Sequence, residues 1–261
     1  MSEPVEYDDF ADIYDAWVAT APVTERNLPF YVDEYIHAPG VVVELGVGNG
    51  RIAIVAARRG KTVIGIDSSA AMLDVCKRRA EAAGIAARIS LVQADFRDFK
   101  LRDAASLISI PFHSIGHLTT RDDRLEALRS ISGQLTPGGR LIFDTFVFDP
   151  EMARTQHGAP RLRAEYRDEL SGHDVLIWAT TFYDFVRHAI RIIAYTDELD
   201  ATGLVLERRY RRLSFSWSDP AEIRGLLAET GFEIEALFGD YDRRPFDDGS
   251  QEQVWVARRP I

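Results

Sequence analysis

The sequence contains one cysteine, no long apolar run and fewer basic than acidic residues. Cys76 is the only cysteine, so no disulfide can form within the chain, and we expect a reducing, cytoplasmic location. The acidic start, Met1–Asp9, has no apolar segment of a signal peptide, and no run approaches transmembrane length, so we expect no membrane partner. The net charge of −10 disfavours a nucleic-acid partner, because proteins that bind nucleic acid normally present a basic face.

Metal ligands are scarce as well. His113 and His117 stand four residues apart, a spacing that one helical turn can bring to a shared ion. Gly116 lies between them and no cysteine is nearby to supply further ligands. We identify no set of carboxylates that would form a magnesium site. The sequence therefore predicts no bound metal.

What the chain does contain is a glycine-rich turn between an apparent strand and helix. The β-branched run Val41–Leu45 predicts a strand, and Ile52, Val55 and Ala56 fall at helical spacing. Glu44 stands near the end of this strand, and Gly46, Gly48 and Gly50 stand between strand and helix. Glycines at such a turn let the backbone approach a ligand closely, where side chains would block it.

Two ligand classes use a turn of this kind. A dinucleotide site has the spacing G-x-G-x-x-G, but the position of its third glycine is here Arg51. Glu44, just upstream, is unfavourable to a pyrophosphate and favours a ligand that carries positive charge. A nucleotide-dependent oxidoreductase stays as the alternative interpretation.

A second acid, Asp67, ends the next predicted strand. Ligands of doubly wound sheets bind at the carboxyl ends of the strands, and the two oxygens of a carboxylate match the vicinal hydroxyls of a ribose. The structural alternative is that Asp67 caps the following helix, a role that the adjacent Ser68 could also fill.

Strands and helices alternate from residue 41 to residue 146, which predicts a parallel sheet wrapped by helices. Before them, Tyr7, Phe10, Tyr14 and Trp17 form one face of a predicted helix over residues 6–17. Pro22 and Pro29 interrupt the next stretch, so a second helix is expected only from residue 30. The predicted strands are 41–45, 62–66, 87–93, 105–110 and 140–146, and the predicted helices are 51–59, 70–83 and 122–134.

The alternation stops after Asp149-Pro150. Residues 161–217 read as four long strands joined by hairpin turns, without helices between them, which predicts an antiparallel insertion. A helix over 219–230 and two short strands follow. The expected organisation is an N-terminal helical cap (1–37), a ligand-binding core (38–150), the antiparallel insertion (151–217) and a C-terminal part of the core (218–261).

The motif Glu44-x-Gly46-x-Gly48-x-Gly50 resembles the cofactor motif of the class I S-adenosylmethionine (SAM) methyltransferases. Asp67, the pair Asp95-Phe96 and the turn Thr136-Pro137-Gly138-Gly139 stand where this family has its other markers. The resemblance implies an α/β fold with a Rossmann-like, seven-stranded, mostly parallel sheet in three layers and an inserted antiparallel β subdomain.

A narrower resemblance, over roughly residues 6–146, is to the amino-sugar N-methyltransferases. Ser114-Ile115-Gly116-His117-Leu118 and Tyr14-Asp15 are similar to segments of that subgroup, whose members also carry an antiparallel insertion. By this resemblance His117 and Tyr14 face the acceptor and are the expected catalytic residues, and the protein is expected to form a homo-oligomer, a dimer.

Site residues are assigned on the motif and on this resemblance together. We expect the acceptor to contact Tyr7, Phe112, His113 and Phe146. The expected cofactor-binding residues are Glu44, Gly46, Gly48, Gly50, Arg51, Asp67, Ser68, Met72, Asp95, Phe96 and Ile110.

The expected function is transfer of a methyl group from SAM to the nitrogen or oxygen of a small molecule, by in-line displacement, in secondary or sugar metabolism. S-adenosylhomocysteine (SAH) would be the product. An amine must be neutral to attack, whereas a hydroxyl needs a base, for which His117 or His113 is the candidate. A SAM-binding protein without catalysis is a further alternative.

Overall fold

In the computed structural model, which describes residues 6–261, two β-sheets are joined by helices. No helix in that range is both long and apolar enough to span a bilayer. The helices are α1 (Tyr14–Ala19), α2 (Val23–His37), α3 (Arg51–Arg58), α4 (Ala70–Ala82), α5 (Arg121–Gln134), α6 (Pro150–Gln156) and α7 (Pro220–Glu229). The strands are β1 (Val42–Leu45), β2 (Val63–Asp67), β3 (Ile89–Gln93), β4 (Ala105–Ile110), β5 (Leu135–Phe146), β6 (Pro160–Arg167), β7 (Asp174–Asp184), β8 (Ala189–Leu199), β9 (Val205–Ser216), β10 (Glu233–Phe238) and β11 (Glu252–Arg258).

The larger sheet has seven strands in the order β10-β11-β5-β4-β1-β2-β3. Strand β1 pairs in parallel with both β2 and β4, and β11 runs antiparallel to β5 and β10. The mostly parallel, Rossmann-like sheet expected from the sequence is confirmed. Because β1 to β5 run in parallel, their carboxyl ends meet at one edge, and the order of the strands reverses there between β1 and β4.

Helices cover both faces of this sheet, which gives the expected three layers. Alternate residues of a strand point to opposite faces, so Val43 and Leu45 join a core with α5 and α7, while Val42 joins a core with α2, α3 and α4. Strand β1, apolar except for Glu44, is thus buried on both sides, as is typical of a central parallel strand.

The second sheet is the antiparallel insertion, in the order β6-β7-β8-β9, and this prediction too is confirmed. Its inner face packs on the N-terminal segment, where Phe10 and Ile13 contact Ile177, Ala194 and Leu213. The first five residues of the predicted 1–37 cap, part of the acidic start of the chain, lie outside the described residues.

The prediction of one helix over residues 6–17 is wrong. The segment forms a 3-10 turn, Glu6–Phe10, and then α1. In a continuous helix the carbonyl of Asp9 would accept from the amide of Ile13, but here the Arg211 guanidinium donates to that carbonyl at 2.5 Å, and Ile13 bonds to Phe10 instead.

Other local predictions also differ from the structure. Helix α2 begins at Val23 and runs through Pro29, because its buried face, which includes Tyr31 and Tyr35, stabilises it despite the missing amide donor. Helix α6 was not anticipated, although Asp149 caps it and Pro150 starts it. The turn 136–139 lies within β5, as an irregularity in its pairing with β4.

Candidate functional site

A cavity of about 320 Å³ opens at the carboxyl edge of the large sheet, between the N-terminal segment and the loops that follow β1, β2, β3 and β4. Of the residues expected from the sequence, it is lined by Tyr7, Tyr14, Gly46, Gly48, Asp67, Ser68, Met72, Asp95, Phe96, Phe112 and His117. A smaller side cavity shares Tyr14, Gly46 and Phe112 with it and adds Glu44 and Arg51. The size of the main cavity is that of a small-molecule site.

The glycine turn forms the floor of the cavity. Gly46 and Gly48 have φ angles of 71° and 53°, in the left-handed region that side chains disfavour. A Cβ atom on Gly48 would lie 3.2 Å from Cε of Met72 and 3.9 Å from the hydroxyl oxygen of Tyr14. The turn therefore keeps bare backbone next to the cavity, as a close approach to a ligand requires.

Glu44 lies at the end of β1 and is buried. Burial raises the pKa of its carboxyl to about 8, although Tyr35 and the nearby Arg51 oppose the shift. Among residues 6–261 its Oε2 atom has no hydrogen-bond partner. A buried carboxylate with a free oxygen beside a cavity is suited to receive a cationic group.

Asp67 is fixed by two backbone amides. Its Oδ2 accepts from Gly48 N at 2.8 Å and its Oδ1 from Ser69 N at 2.9 Å. Burial raises the pKa of this carboxyl, against the opposing effect of these bonds. Helix α4 is capped by Ser69, which accepts from Met72 N, so neither Asp67 nor Ser68 has the capping role. Each Asp67 oxygen keeps a further lone pair for a ligand.

Asp95 is hydrogen-bonded by Arg97, a residue that the sequence analysis did not assign to the site. The Arg97 side chain donates to both carboxylate oxygens at 2.8 Å and also to Asp123. This bonding to Arg97 lowers the pKa of Asp95. Asp95, Arg97 and Asp123 all line the cavity and form its outer, charged end.

His117 and Tyr7 meet at the opposite side of the cavity. The Nδ1 atom of His117 lies 3.1 Å from the carbonyl oxygen of Ser214, and its Nε2 lies 3.0 Å from the Tyr7 hydroxyl. Because a carbonyl can only accept, Nδ1 carries the proton and Nε2 accepts from Tyr7. Burial lowers the pKa of His117 to about 4, so the imidazole is neutral near pH 7.

Four residues expected at the site lie elsewhere. Gly50 faces Cys76 behind the turn, where a Cβ atom would come within 2.5 Å of the sulfur, and Ile110 is buried in the core. The ring of His113 turns to Glu252, at 2.8 Å, and Phe146 packs on that ring. Neither His113 nor Phe146 lines the two cavities.

Several lining residues were missed by the sequence interpretation. The cavity is also lined by Glu6, Ser114, Thr119 and Asp123. In the sequence, acids and hydroxyls in these segments resemble helix caps or residues of exposed turns. Arg97 had a usable signal, since it stands two residues after Asp95 in a turn where its side chain can fold back.

No group of three or more His, Cys, Asp or Glu side chains suited to a metal ion occurs within residues 6–261. The imidazoles of His113 and His117 point to different partners, Glu252 and Tyr7.

Comparison with known proteins identifies the core. A family model described as "Methyltransferase domain" matches residues 42–139, which contain the glycine turn, Asp67 and Asp95. These residues form a methyltransferase domain, and the protein is a SAM-dependent methyltransferase. This match decides between the two ligand classes that the glycine turn left open, in favour of SAM as cofactor and SAH as product.

The methyltransferase is similar to other methyltransferases over its whole length. A cypemycin N-terminal methyltransferase from Streptomyces sp. is 25% identical over 99% of this chain and 100% of its own. The structure of the CcbJ methyltransferase from Streptomyces caelestis matches with a TM-score of 0.82 and 24% identity, covering 100% of both chains. SAM-bound CalS10, an amino pentose methyltransferase from Micromonospora echinaspora, matches with a TM-score of 0.70 and 19% identity, over 99% and 100% of the chains. The two structures show a shared fold, insertion included.

The site fits this cofactor on observations of its own. The glycine turn leaves room for backbone contact, and the Oε2 of Glu44, which has no partner in the described part of the chain, matches an ammonium group. Asp67 keeps lone pairs for a ribose beside the turn. SAM combines these groups and carries no phosphate, which accords with the absence of a third dinucleotide glycine at Arg51.

Proposed function

We propose that this methyltransferase methylates the amine nitrogen of a small acceptor molecule. The observation that carries the proposal is the neutral His117–Tyr7 pair at one side of a cavity lined by carboxylates. Glu6, Asp67, Asp95 and Asp123 line this cavity with a single guanidinium, that of Arg97. Such a cavity attracts a cationic amine and disfavours an anionic acceptor.

The cofactor would be held by residues of both cavities. Glu44 would receive the ammonium group of the methionine moiety, and Arg51, in the same side cavity, its carboxylate. Asp67 would accept both ribose hydroxyls, and Asp95 with the backbone of Phe96 would bind the adenine. SAM supplies a methyl group on a sulfonium, which leaves as a neutral thioether, so the protein mainly has to align nucleophile and methyl.

The pKa of His117 supports nitrogen rather than oxygen as the acceptor atom. An alkyl hydroxyl is about as acidic as water, with a pKa near 15.7, so its proton would move uphill by roughly 15 kcal/mol to an imidazole with a pKa of about 4. Ammonium groups have pKa values of about 8 to 10, and their neutral form is present in water without any base. The site is therefore suited to an amine and poorly suited to an alcohol.

In this scheme His117 positions rather than deprotonates. The Tyr7 hydroxyl donates to Nε2 of His117, which leaves its oxygen to accept an N–H of the incoming amine. Tyr14, whose ring packs edge-on against Tyr7 at 6.0 Å, would close the other side of the acceptor. A neutral amine held in this way keeps its lone pair free to attack in line.

Two of the similar proteins support an amine acceptor, since one is an N-terminal methyltransferase and another an amino pentose methyltransferase. A peptide N-terminus and an amino sugar both present an amine next to polar groups. The experiment therefore begins with a panel of short peptides, amino sugars and their hydroxyl analogues. SAH release and the gain of a methyl group are measured for each.

The pH dependence of the reaction gives a sharper test. We expect kcat/KM to rise with pH up to the pKa of the acceptor amine and to shift with it between two acceptors of different basicity, because the neutral amine is the nucleophile. If kcat/KM rose at the same pH for all acceptors, the group that titrates would be a base of the enzyme and not the acceptor amine. That result would contradict the proposal. Methylation of the hydroxyl analogues alone would do the same.

A further inference from the structure

Two neighbouring residues of the loop after β4 have a backbone conformation that is uncommon for residues other than glycine. Phe112 and His113 have φ angles of 59° and 60°, in the left-handed region, where a bulky residue such as Phe112 is an outlier. Phe112 lines both the main cavity and the side cavity. The strained loop therefore lies at the boundary between the two parts of the site, where a functional constraint is the usual reason for such strain.

A single buried carboxylate holds this loop. Asp144, in β5, is fully buried, and its Oδ1 accepts from Phe112 N at 3.0 Å while its Oδ2 accepts from His113 N at 2.8 Å. The Tyr31 hydroxyl donates to the same Oδ1. A buried aspartate in an apolar strand requires partners, and the loop amides supply the two that a charged carboxylate binds best.

The Phe112 ring is fixed by contacts on top of this backbone. The His113 ring stacks on it with a centroid distance of 5.9 Å, and the Arg51 guanidinium lies 5.5 Å above it. His113 is anchored in turn by its bond to Glu252. The position of the aromatic wall thus depends on the loop backbone, and the loop backbone depends on Asp144.

We propose that Asp144 is a positioning residue, which holds Phe112 and His113 in the left-handed conformation and so sets the aromatic wall of the cofactor site. It acts through the loop and touches no ligand. The inference rests on the proposed function in one respect, namely the assignment of the parts of SAM to the two ends of the cavity. Its readout is SAH binding, which involves no acceptor, so a wrong acceptor assignment and a wrong role for Asp144 give different results.

The first experiment replaces Asp144→Asn and measures SAH affinity by calorimetry. Asparagine keeps the shape but turns an NH₂ group towards one loop amide, so we expect affinity to fall about tenfold to a hundredfold. In the double variant Asp144→Asn with His113→Gly, the loop adopts positive φ at residue 113 without strain. We expect the double variant to regain SAH affinity to within about threefold of His113→Gly alone. Tyr31→Phe, which leaves both loop amides bonded to Asp144, is the matched control and should bind SAH normally.

A second pair keeps Asp144 and remains informative if the Asn variant does not fold. His113→Asn and His113→Val both lose the imidazole, but only valine is strongly penalised at positive φ. We expect the valine variant to bind SAH at least about tenfold more weakly than the asparagine variant. Equal affinities in this pair, unchanged affinity in Asp144→Asn, or no recovery in the double variant would each overturn the proposal.

Discussion

At the scale of single residues, Glu44 lies in a buried position where the charged form of its carboxyl is unfavourable. Its carboxyl is buried, and the pKa of about 8 lies well above the ordinary value of 4.5. The folded protein therefore retains a proton that the unfolded chain has lost between about pH 4.5 and pH 8. Across this interval the free energy of unfolding falls as pH rises, because the unfolded chain is stabilised by ionising a carboxyl that burial keeps protonated in the folded protein.

Glu44→Gln removes this dependence. For the cofactor-free protein we expect the wild type to lose about 4 kcal/mol relative to the variant between pH 5 and pH 8.5. Urea unfolding at a series of pH values measures the difference, and Glu81→Gln, at an exposed site on α4, is the control. Parallel pH profiles for wild type and Glu44→Gln would contradict the assignment.

Asp67 has two partners already and would gain two more from the ribose. Asp67→Ala removes all of them and leaves the Gly48 amide without its acceptor, so we expect SAH affinity to fall at least about a hundredfold. Asp74→Ala, an exposed substitution on α4, should leave affinity unchanged. Calorimetry measures the SAH affinity of both variants. Tight binding of SAH by Asp67→Ala would refute the ribose assignment.

At the scale of elements, the N-terminal segment is held over the cavity by hydrogen bonds to the core and to the insertion. Asp8 accepts from Ser69 of the core at 2.6 Å, and Glu6 accepts from the amide and hydroxyl of Ser214 in β9. Further along the segment, Arg211 of β9 donates to the carbonyl of Asp9 and the carboxylate of Asp12. The insertion thus holds the segment that brings Tyr7 and Tyr14 to the site.

Arg211→Met should loosen this segment. We expect faster proteolysis within residues 6–19 and a fall of about tenfold or more in kcat/KM for the acceptor, because the Tyr7–His117 pair is no longer held together. Arg212→Met is the matched control, since Arg212 is exposed where Arg211 is buried on the same strand. Equal effects of the two substitutions would show that the Arg211 contacts do not order the segment.

At the scale of the whole molecule, the sequence predicts the frame of the site well. Strand ends in a parallel sheet converge, so Glu44 and Asp67 could be placed together from their positions alone. The turn at the glycines could be predicted because glycine adopts positive φ angles that other residue types disfavour. A cytoplasmic location and a dimer, expected from the single cysteine and from the resemblance, stay predictions.

The sequence could not predict contacts between distant segments. The left-handed loop at Phe112 and His113 is uncommon for residues other than glycine, costs about 1–2 kcal/mol at a residue such as Phe112, and is bonded to Asp144 on another strand. The break in the N-terminal helix depends on Arg211, about 200 residues later. His113 and His117 look alike in the sequence, and only the fold separates their partners.

The bond from His117 to Ser214 has a consequence for the history of such proteins. Its acceptor is a main-chain carbonyl, so the side chain at position 214 can change while the imidazole keeps the same hydrogen bond and the same tautomer. A hydrogen bond to a main-chain carbonyl does not require a particular residue type at the position that supplies it. Two descendants can therefore share this arrangement after their insertions have diverged beyond recognition, provided that the strand still ends in the same place.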